Sequence, residues 1–198
     1  MVAMTRSETF RTDDRIVMHG STWANYETQV ALRGEDHRCP KLAFLDGAIE
    51  LMSPSRDHEQ IKWRIGQILA FYCAELAIPM SGYGQWRLAD ESELAGAEPD
   101  ECYLFAGDHE GRSRPDLVIE VIWTSGGLDK LEIYRRLGVR EVWFWDAGTI
   151  AVFGLGADDY TRCARSTFVP ALDLDRVCGL LDLRMVGEIQ AAVRASLV

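Results

Sequence analysis

Residues 98–130 read EPDECYLFAGDHEGRSRPDLVIEVIWTSGGLDK, and the predicted fold rests on this stretch. It contains two apolar runs, 102–105 and 117–123, and each run follows closely on a Pro-Asp pair. A polar segment containing glycine separates them. Two short apolar runs on either side of such a segment are typical of a β-hairpin. We therefore predict two antiparallel strands joined by a long loop.

The predicted hairpin brings two carboxylates together. Facing residues of an antiparallel pair are equidistant from the centre of the turn, and a turn centred on residue 110 puts Asp100 opposite Glu120. Their Cα atoms would lie within about 5 Å, and like charges this close disfavour joint ionisation. Mg²⁺ would remove the conflict, since it takes oxygen ligands from one or two carboxylates. Solvation at a sheet edge, or pairing with Arg112 or Arg114, explains the same spacing equally well.

A third acid, Asp116, lies on the same predicted strand as Glu120 but four residues earlier. This separation is about 13 Å along an extended chain, so one metal ion cannot bind both carboxylates directly. The same register puts Asp116 opposite Leu104, at the loop end of the hairpin. We therefore assign the metal to Asp100 and Glu120 and expect Asp116 to hydrogen-bond backbone. A shift in register would reverse this assignment.

The sequence after the hairpin predicts a β-α-β unit. Residues 128–137 have helical periodicity, with Tyr134 on the core face and Gly138 ending the helix. Residues 142–145 then form a buried strand, which must lie parallel to the second hairpin strand. Apolar residues at helical spacing predict a closing helix over 180–197.

The sequence before the hairpin predicts a helix over 21–33, a tight hairpin around Asp46-Gly47 and a longer helix over 57–77. Residues 1–20 show no periodicity, so we expect a loose N-terminal arm. The remainder, 21–198, shows no repeat or linker and is predicted to form a single domain.

Three further residues are weaker candidates for the site. Glu50 lies in the second strand of the tight hairpin, where a solvent-facing position is the simpler expectation. His58 and Glu59 lie in the first turn of the longer helix, where Asp57 and Gln60 predict the cap. Either His58 or Glu59 could add an outer ligand or position water, although acids are common in first turns because they favour the helix dipole.

These elements resemble a known family. The resemblance is to the Uma family of endonucleases, in the PD-(D/E)xK restriction-endonuclease-like superfamily, and extends from about residue 44 to residue 153. The matching residues are Pro99-Asp100, PDLVIEV at 115–121, Lys130, Tyr134, Gly138-Val139, Glu141, Trp143 and Asp146. The resemblance implies an α/β fold with an αβββαβ core, a mixed sheet flanked by helices, and an N-terminal helix and hairpin before it. It also implies cleavage of DNA phosphodiesters with Mg²⁺, or Mn²⁺ in its place.

The chain departs from the superfamily pattern at one position. That pattern has a lysine two residues after the acid, where this chain has Ile122. Lys130 matches a lysine of the Uma pattern and could reach back to stabilise charge on the phosphate or the attacking hydroxide. The alternative is a surface lysine near Asp129 and Glu132. The resemblance thus implies a catalytic set of Asp100, Glu120, Lys130 and Glu59, with Asp116, His58 and Glu50 as weaker candidates.

The composition is that of one ordinary globular domain. The 198 residues are 47% hydrophobic and 26% charged, which suffices for one core. No apolar run approaches the roughly 18 residues of a membrane span, and the N-terminus has no signal-peptide pattern. The five cysteines show no metal-ligand spacing. We expect a cytoplasmic protein with reduced cysteines and no membrane partner, and a homodimer is compatible with the sequence.

The net charge of −10 opposes strong binding to duplex DNA, which attracts proteins through lysine and arginine. Local cations would have to supply that attraction. They cluster in sequence around the hairpin and on the helix before it: Arg112, Arg114, Lys130, Arg135, Arg136 and Arg140, with Lys62 and Arg64. We therefore expect weak, salt-sensitive DNA binding or help from a partner. Two other functions stay open: a catalytically inactive DNA- or protein-binding module that retains the nuclease fold, and a metal-dependent hydrolase of small phosphoesters.

Overall fold

The computed structural model describes residues 12–34, 39–84, 86–106, 109–123 and 126–197. In these ranges the chain forms two β-sheets and five α-helices. The helices are α1 (Trp23–Arg33), α2 (Arg56–Glu75), α3 (Lys130–Arg136), α4 (Leu174–Gly179) and α5 (Val186–Ala195). The strands are β1 (Asp14–His19), β2 (Lys41–Leu45), β3 (Ala48–Ser53), β4 (Met80–Gly82), β5 (Leu88–Asp90), β6 (Ala95–Ala97), β7 (Glu101–Phe105), β8 (Leu117–Ile122), β9 (Glu141–Asp146), β10 (Thr149–Leu155) and β11 (Tyr160–Cys163).

The larger sheet contains the predicted core. Its strand order is β11-β10-β9-β8-β7-β4, and β8 runs parallel to β9 while the other described pairs are antiparallel. Helix α3 connects β8 to β9, as the β-α-β prediction required. The order αβββαβ is formed along the chain by α2, β4, β7, β8, α3 and β9. Strands β5 and β6, which come between β4 and β7, belong to the smaller sheet. The expected restriction-endonuclease-like core is confirmed.

The hairpin of β7 and β8 has the predicted register. Glu101 faces Ile119 and Cys102 faces Val118, so the turn is centred on residue 110. Alternate residues of β8 enter different cores, with Ile119 packing in the core that contains α2 and Val118 in the core that contains α3. Asp100 directly precedes β7, at the position that continues this register opposite Glu120.

The smaller sheet has the order β1-β3-β2-β6-β5. The predicted β2–β3 hairpin is present, and both Asp46 (φ 44°) and Gly47 (φ 83°) adopt the positive φ that a tight turn of this kind requires. β1 pairs along its whole length with β3. The loose arm is therefore wrong for residues 14–19, because backbone pairing along the edge of β3 orders a segment without apolar periodicity. Residues 1–11 lie outside the described ranges, and the single domain over 21–198 stays a prediction.

The C-terminal part of the chain differs from its prediction. The helix expected over 180–197 is the shorter α5, and α4 ends before that range begins; turns join the two helices. Helix α5 buries Ile189 and Val193, which belong to the core that also contains residues of α2. Their helical spacing was therefore a correct indicator for residues 186–195. The prediction was wrong for 180–185, where Leu181 is buried from a turn.

None of the helices in the described ranges is long and apolar enough to cross a membrane. The cysteines are all free thiols, as predicted, and Cys73 and Cys102 are buried.

Candidate active site

Asp100 and Glu120 lie in one buried site at the junction of β7 and β8. Asp100 is 1% exposed and Glu120 is 6% exposed. The backbone N–H of Val121 donates to Asp100 Oδ2 at 2.7 Å, which holds the carboxylate against β8. Burial raises the pKa of Glu120 to about 7, and the Asp100 charge adds to this rise. The structure thus brings together the two carboxylates that the hairpin register predicted.

Lys41, which sequence reasoning missed, is an internal cation of this site. It opens β2, is 7% exposed, and donates from Nζ to Asp100 Oδ1 and to the carbonyl oxygen of Pro99 at 3.1 Å. Burial would lower its pKa, but the charges of Asp100 and Glu120 raise the pKa above its ordinary value. An ammonium group therefore balances part of the carboxylate charge. A single lysine at the start of an apolar strand is too common a signal to have identified it.

His58 contacts Asp100 from the other side. Its Nε2 lies 3.0 Å from Asp100 Oδ2 and its Nδ1 lies 3.0 Å from Asp13 Oδ2. Burial would lower the pKa of this fully buried ring, but hydrogen bonding and charge from the two carboxylates raise it to about 9. His58 is therefore an imidazolium at neutral pH. Together with Lys41 it lowers the pKa of Asp100, against the effect of burial, and keeps that carboxylate ionised.

The N-terminal segment fixes the start of α2 and thereby His58. Ser55 caps the helix by accepting the N–H of His58 at 3.2 Å, so the cap predicted at Asp57 is wrong. Asp13 accepts the N–H of Ser55 at 2.7 Å and also contacts the His58 ring. Sequence reasoning missed Asp13 because it lies in the segment expected to be a loose arm.

Glu59 lies one residue beyond His58 and turns away from this contact. Its side chain is 43% exposed and pairs with Lys62 Nζ at 2.5 Å. His58, rather than Glu59, is thus the residue by which the first turn of α2 touches Asp100. A catalytic role for Glu59 stays a prediction.

Glu50 is buried, so the expected solvent-facing position is wrong. Its Oε1 lies 3.2 Å from Lys130 Nζ, and its Oε2 accepts the N–H of Leu128 at 2.9 Å and lies 3.6 Å from Arg15 Nε. The segment that leads into α3 covers this face of β3, which sequence periodicity could not show. Glu50 therefore fixes both Lys130 and the start of α3.

We expect a side chain at position 127 to lower the free energy of unfolding. A Cβ atom there would lie 2.2 Å from Glu50 Oε2, so the carboxylate would have to leave the Leu128 N–H. A fully buried donor without a partner costs about 1–3 kcal/mol, and the partly buried Leu128 N–H should cost about 1 kcal/mol. Urea unfolding should therefore show this loss for Gly127→Ala. Gly187→Ala is the matched control, because a Cβ at Gly187 has no neighbour within 4 Å. Equal stability of the two variants would contradict this packing.

Tyr134 and Asp116 have the structural roles predicted for them. Tyr134 is fully buried, and its hydroxyl donates to Glu120 Oε1, which orients that carboxylate. Asp116 Oδ2 accepts the backbone N–H of Phe105 at 2.9 Å, and its Oδ1 accepts from Arg112 Nη2 at 2.6 Å. Asp116 therefore holds the loop end of the hairpin together.

Glu120 and Lys130 both line a cleft of about 620 Å³. Ile122, at the position where the superfamily pattern has lysine, lines the same cleft. The side chains and backbone around it come from β1, β3, β8, β9, β10, β11, the segment leading into α3 and α3 itself. Glu120 thus borders an opening large enough for a ligand of nucleotide size, and Asp100 lies behind it, outside the lining.

Few of the cations expected to attract DNA are free to do so. Arg64 is 7% exposed and donates to the carbonyl oxygen of Leu181 at 2.5 Å. Arg135 and Arg136 both pair with Glu132. Arg140 is mostly exposed, although it lies 3.4 Å from Asp116. Local positive charge is thus smaller than the sequence cluster indicated.

The donors of the site fit a hard divalent cation held by few protein ligands. In the described ranges, no group of three or more His, Cys, Asp or Glu side chains is arranged to hold a metal. Mg²⁺ needs only one or two carboxylates because it keeps several waters. A carboxylate has about four acceptor positions, and the Asp100 contacts with Lys41, Val121 and His58 leave one. Burial is the larger cause of the raised pKa of Glu120 and the Asp100 charge is the second, and the charge of a bound cation would favour the ionised carboxylate.

Glu120 should make the protein less stable as the pH rises. Its pKa is about 7 in the folded protein and 4.5 ordinarily, so between these values the folded state holds a proton that the unfolded state has released. Each pH unit in this window then lowers the free energy of unfolding by up to about 1.4 kcal/mol. Urea unfolding between about pH 5 and 6.5, below the window in which His58 titrates, should show this fall for wild type. It should be smaller in Glu120→Gln, where Glu101, whose pKa burial also raises, still contributes, and an equal slope in both proteins would contradict the assignment.

The chain is similar to known proteins in sequence and in structure. The family model of Uma2, described as "Putative restriction endonuclease", matches residues 23–184. The chain is also similar to a crystal structure described as a putative nuclease belonging to DUF820 from Anabaena variabilis ATCC 29413, with a TM-score of 0.43 and 12% identity over 78% of this chain and 92% of that chain. No curated protein matches the sequence. Because the family model covers most of the chain, the protein belongs to the Uma2 family of restriction-endonuclease-like proteins.

Proposed function

We propose that this protein is a Mg²⁺-dependent endonuclease that hydrolyses DNA phosphodiester bonds, with Mn²⁺ able to replace Mg²⁺. The observation that carries the proposal is the buried pair Asp100 and Glu120, of which Glu120 lines a cleft of about 620 Å³. Two neighbouring carboxylates are a natural site for a hard cation. Family membership supports the nuclease class of reaction.

Asp100 and Glu120 would hold the ion, which when bound polarises a phosphoryl oxygen and lowers the pKa of water. Lys41 and His58 keep Asp100 ionised, and the hydrogen bond from Tyr134 orients Glu120. These contacts restrict both carboxylates before substrate arrives. Such restriction is what electrostatic catalysis requires, since oriented groups need no rearrangement during the reaction.

Lys130 would supply the positive charge that the missing lysine at position 122 cannot. Lys130 lines the same cleft as Glu120, and its Nζ lies 3.2 Å from Glu50 Oε1. An ammonium group held at that point would stabilise negative charge on the phosphate in the transition state. Glu59 remains an outer candidate at the exposed side of α2.

Nicking of supercoiled plasmid tests this function. Wild type should cut with Mg²⁺ and lose activity in EDTA, and Lys130→Met should cut about 100-fold more slowly, as expected for loss of one transition-state contact. Arg184→Met removes an exposed cation outside the cleft and should cut at the wild-type rate. Equal rates for Lys130→Met and Arg184→Met would exclude the role of Lys130.

One observation favours the second candidate, a catalytically inactive DNA- or protein-binding module. The Lys41 ammonium already bonds to Asp100, and the charges of Asp100 and Glu120 raise the pKa of Lys41. The lysine therefore neutralises part of the charge that a metal would neutralise. Such a module would leave plasmid intact at any Mg²⁺ concentration. A single chain is described, and the homodimer therefore stays a prediction.

A further inference from the structure

The cleft beside Glu120 has an aromatic wall that the proposed cleavage reaction does not use. Glu120 on β8 faces Phe144 on β9, and Phe144 faces Ala151 on β10. Facing residues of neighbouring strands project from the same side of a sheet. Since strands lie about 4.8 Å apart, Phe144 is one strand from Glu120 and Ala151 is two. The aromatic ring therefore begins immediately beside the proposed metal ligand.

A second ring completes this wall. Phe153 packs edge-on against Phe144, with ring centroids 5.8 Å apart and planes at 77°. Ala151 lies between the two phenylalanines in sequence. Its small side chain leaves the sheet surface uncovered at that point. All three side chains are partly open to solvent. We call Phe144, Ala151 and Phe153 the aromatic wall.

Charged groups stand at the ends of the same cleft. Lys130 lies at the end near Glu120, and Arg162, which is exposed, faces Phe153 from β11. Within the part of the chain that the structure describes, Arg162 forms no ion pair. The lining also contains Arg15 and four acidic residues, Glu50, Glu120, Asp129 and Asp146, of which Glu50 pairs with Arg15 and Lys130. An apolar wall between two cations matches a nucleotide, whose base is apolar on its faces and whose flanking phosphates are negative.

We propose that the aromatic wall binds an unstacked base of single-stranded DNA, next to the phosphate that is cut. This inference rests on the proposed function for the position of that phosphate. A base within a duplex is stacked and paired, and it can enter a cleft only after unstacking and unpairing, which cost a few kcal/mol. The net charge of −10 also gives little attraction to duplex phosphates, whereas stacking on aromatic rings supplies affinity that depends less on charge.

The test is binding of a fluorescein-labelled oligonucleotide, single-stranded or annealed to its complement, followed by anisotropy in EDTA so that no cleavage occurs. Wild type should bind the single strand more tightly than the duplex. Phe153→Leu keeps apolar bulk but removes the ring, and it should weaken single-strand binding about 5- to 150-fold. Ala151→Leu should weaken it by filling the space without altering either ring. Trp63→Leu, which removes an exposed aromatic side chain of α2 outside the cleft, should bind as wild type does.

Equal binding of single strand and duplex, or wild-type binding by both Phe153→Leu and Ala151→Leu, would overturn the inference even if plasmid is cut. Selective single-strand binding that both variants lose supports it. If wild type shows that selectivity and yet cuts neither plasmid nor single strand in Mg²⁺, the proposed nuclease reaction fails while the base site stands.

Discussion

Glu120→Gln should lower the rate of Mg²⁺-dependent plasmid nicking by about 100- to 1,000-fold, and the protein should remain folded. Glutamine has the shape of glutamate, and its amide oxygen can still accept the hydrogen bond from Tyr134. The substitution removes the negative charge that would attract the cation, and losing one such electrostatic contact costs about 100- to 1,000-fold in rate. Removing a buried acid with a raised pKa should not weaken the fold at neutral pH.

Glu91→Gln is the matched control, because it makes the same chemical change at an exposed residue in the turn before β6. It should cut at the wild-type rate. Circular dichroism of both variants checks that the fold is retained. Cleavage by folded Glu120→Gln at the rate of Glu91→Gln would show that Glu120 takes no part in the reaction.

Asp100→Ala should lower the free energy of unfolding by about 3–5 kcal/mol, because it leaves buried cations without their partner. Lys41 and His58 both contact Asp100, and each has a pKa raised by that carboxylate. Urea unfolding near neutral pH measures the loss. Inactivity of this variant alone would therefore not identify a metal ligand.

A double variant separates these effects. Asp100→Ala with Lys41→Met removes one of the stranded cations and should be more stable than Asp100→Ala alone, since an apolar side chain replaces a buried unpaired charge. Asp90→Ala, at an exposed aspartate of β5, is the control for the chemical change. Asp100→Ala with the stability of Asp90→Ala would contradict the buried ion pairs described here.

Much of the nuclease core could be predicted because its signals are local. The register of β7 and β8 follows from two apolar runs around one turn, and it correctly positions Asp100 opposite Glu120. The β-α-β unit follows from the helical spacing around Tyr134 and the buried strand after it. Periodicity within a few residues carries this information.

The groups around Asp100 could not be predicted in the same way, because they come from distant parts of the chain. Lys41 lies in β2 of the smaller sheet, and His58 is held by Asp13, which precedes β1. Only tertiary packing shows that these positions converge. Glu50 looked solvent-facing for the same reason, since the segment leading into α3 covers it from nearly 80 residues away in sequence.

Calorimetric titration of Mg²⁺, with Mn²⁺ as a second probe, into wild type and Glu120→Gln tests the central claim most directly. If Asp100 and Glu120 share a cation, wild type should bind with a saturable isotherm, and folded Glu120→Gln should lose that binding. Absence of saturable binding to wild type, or the same isotherm for both proteins, would contradict a metal site at this carboxylate pair.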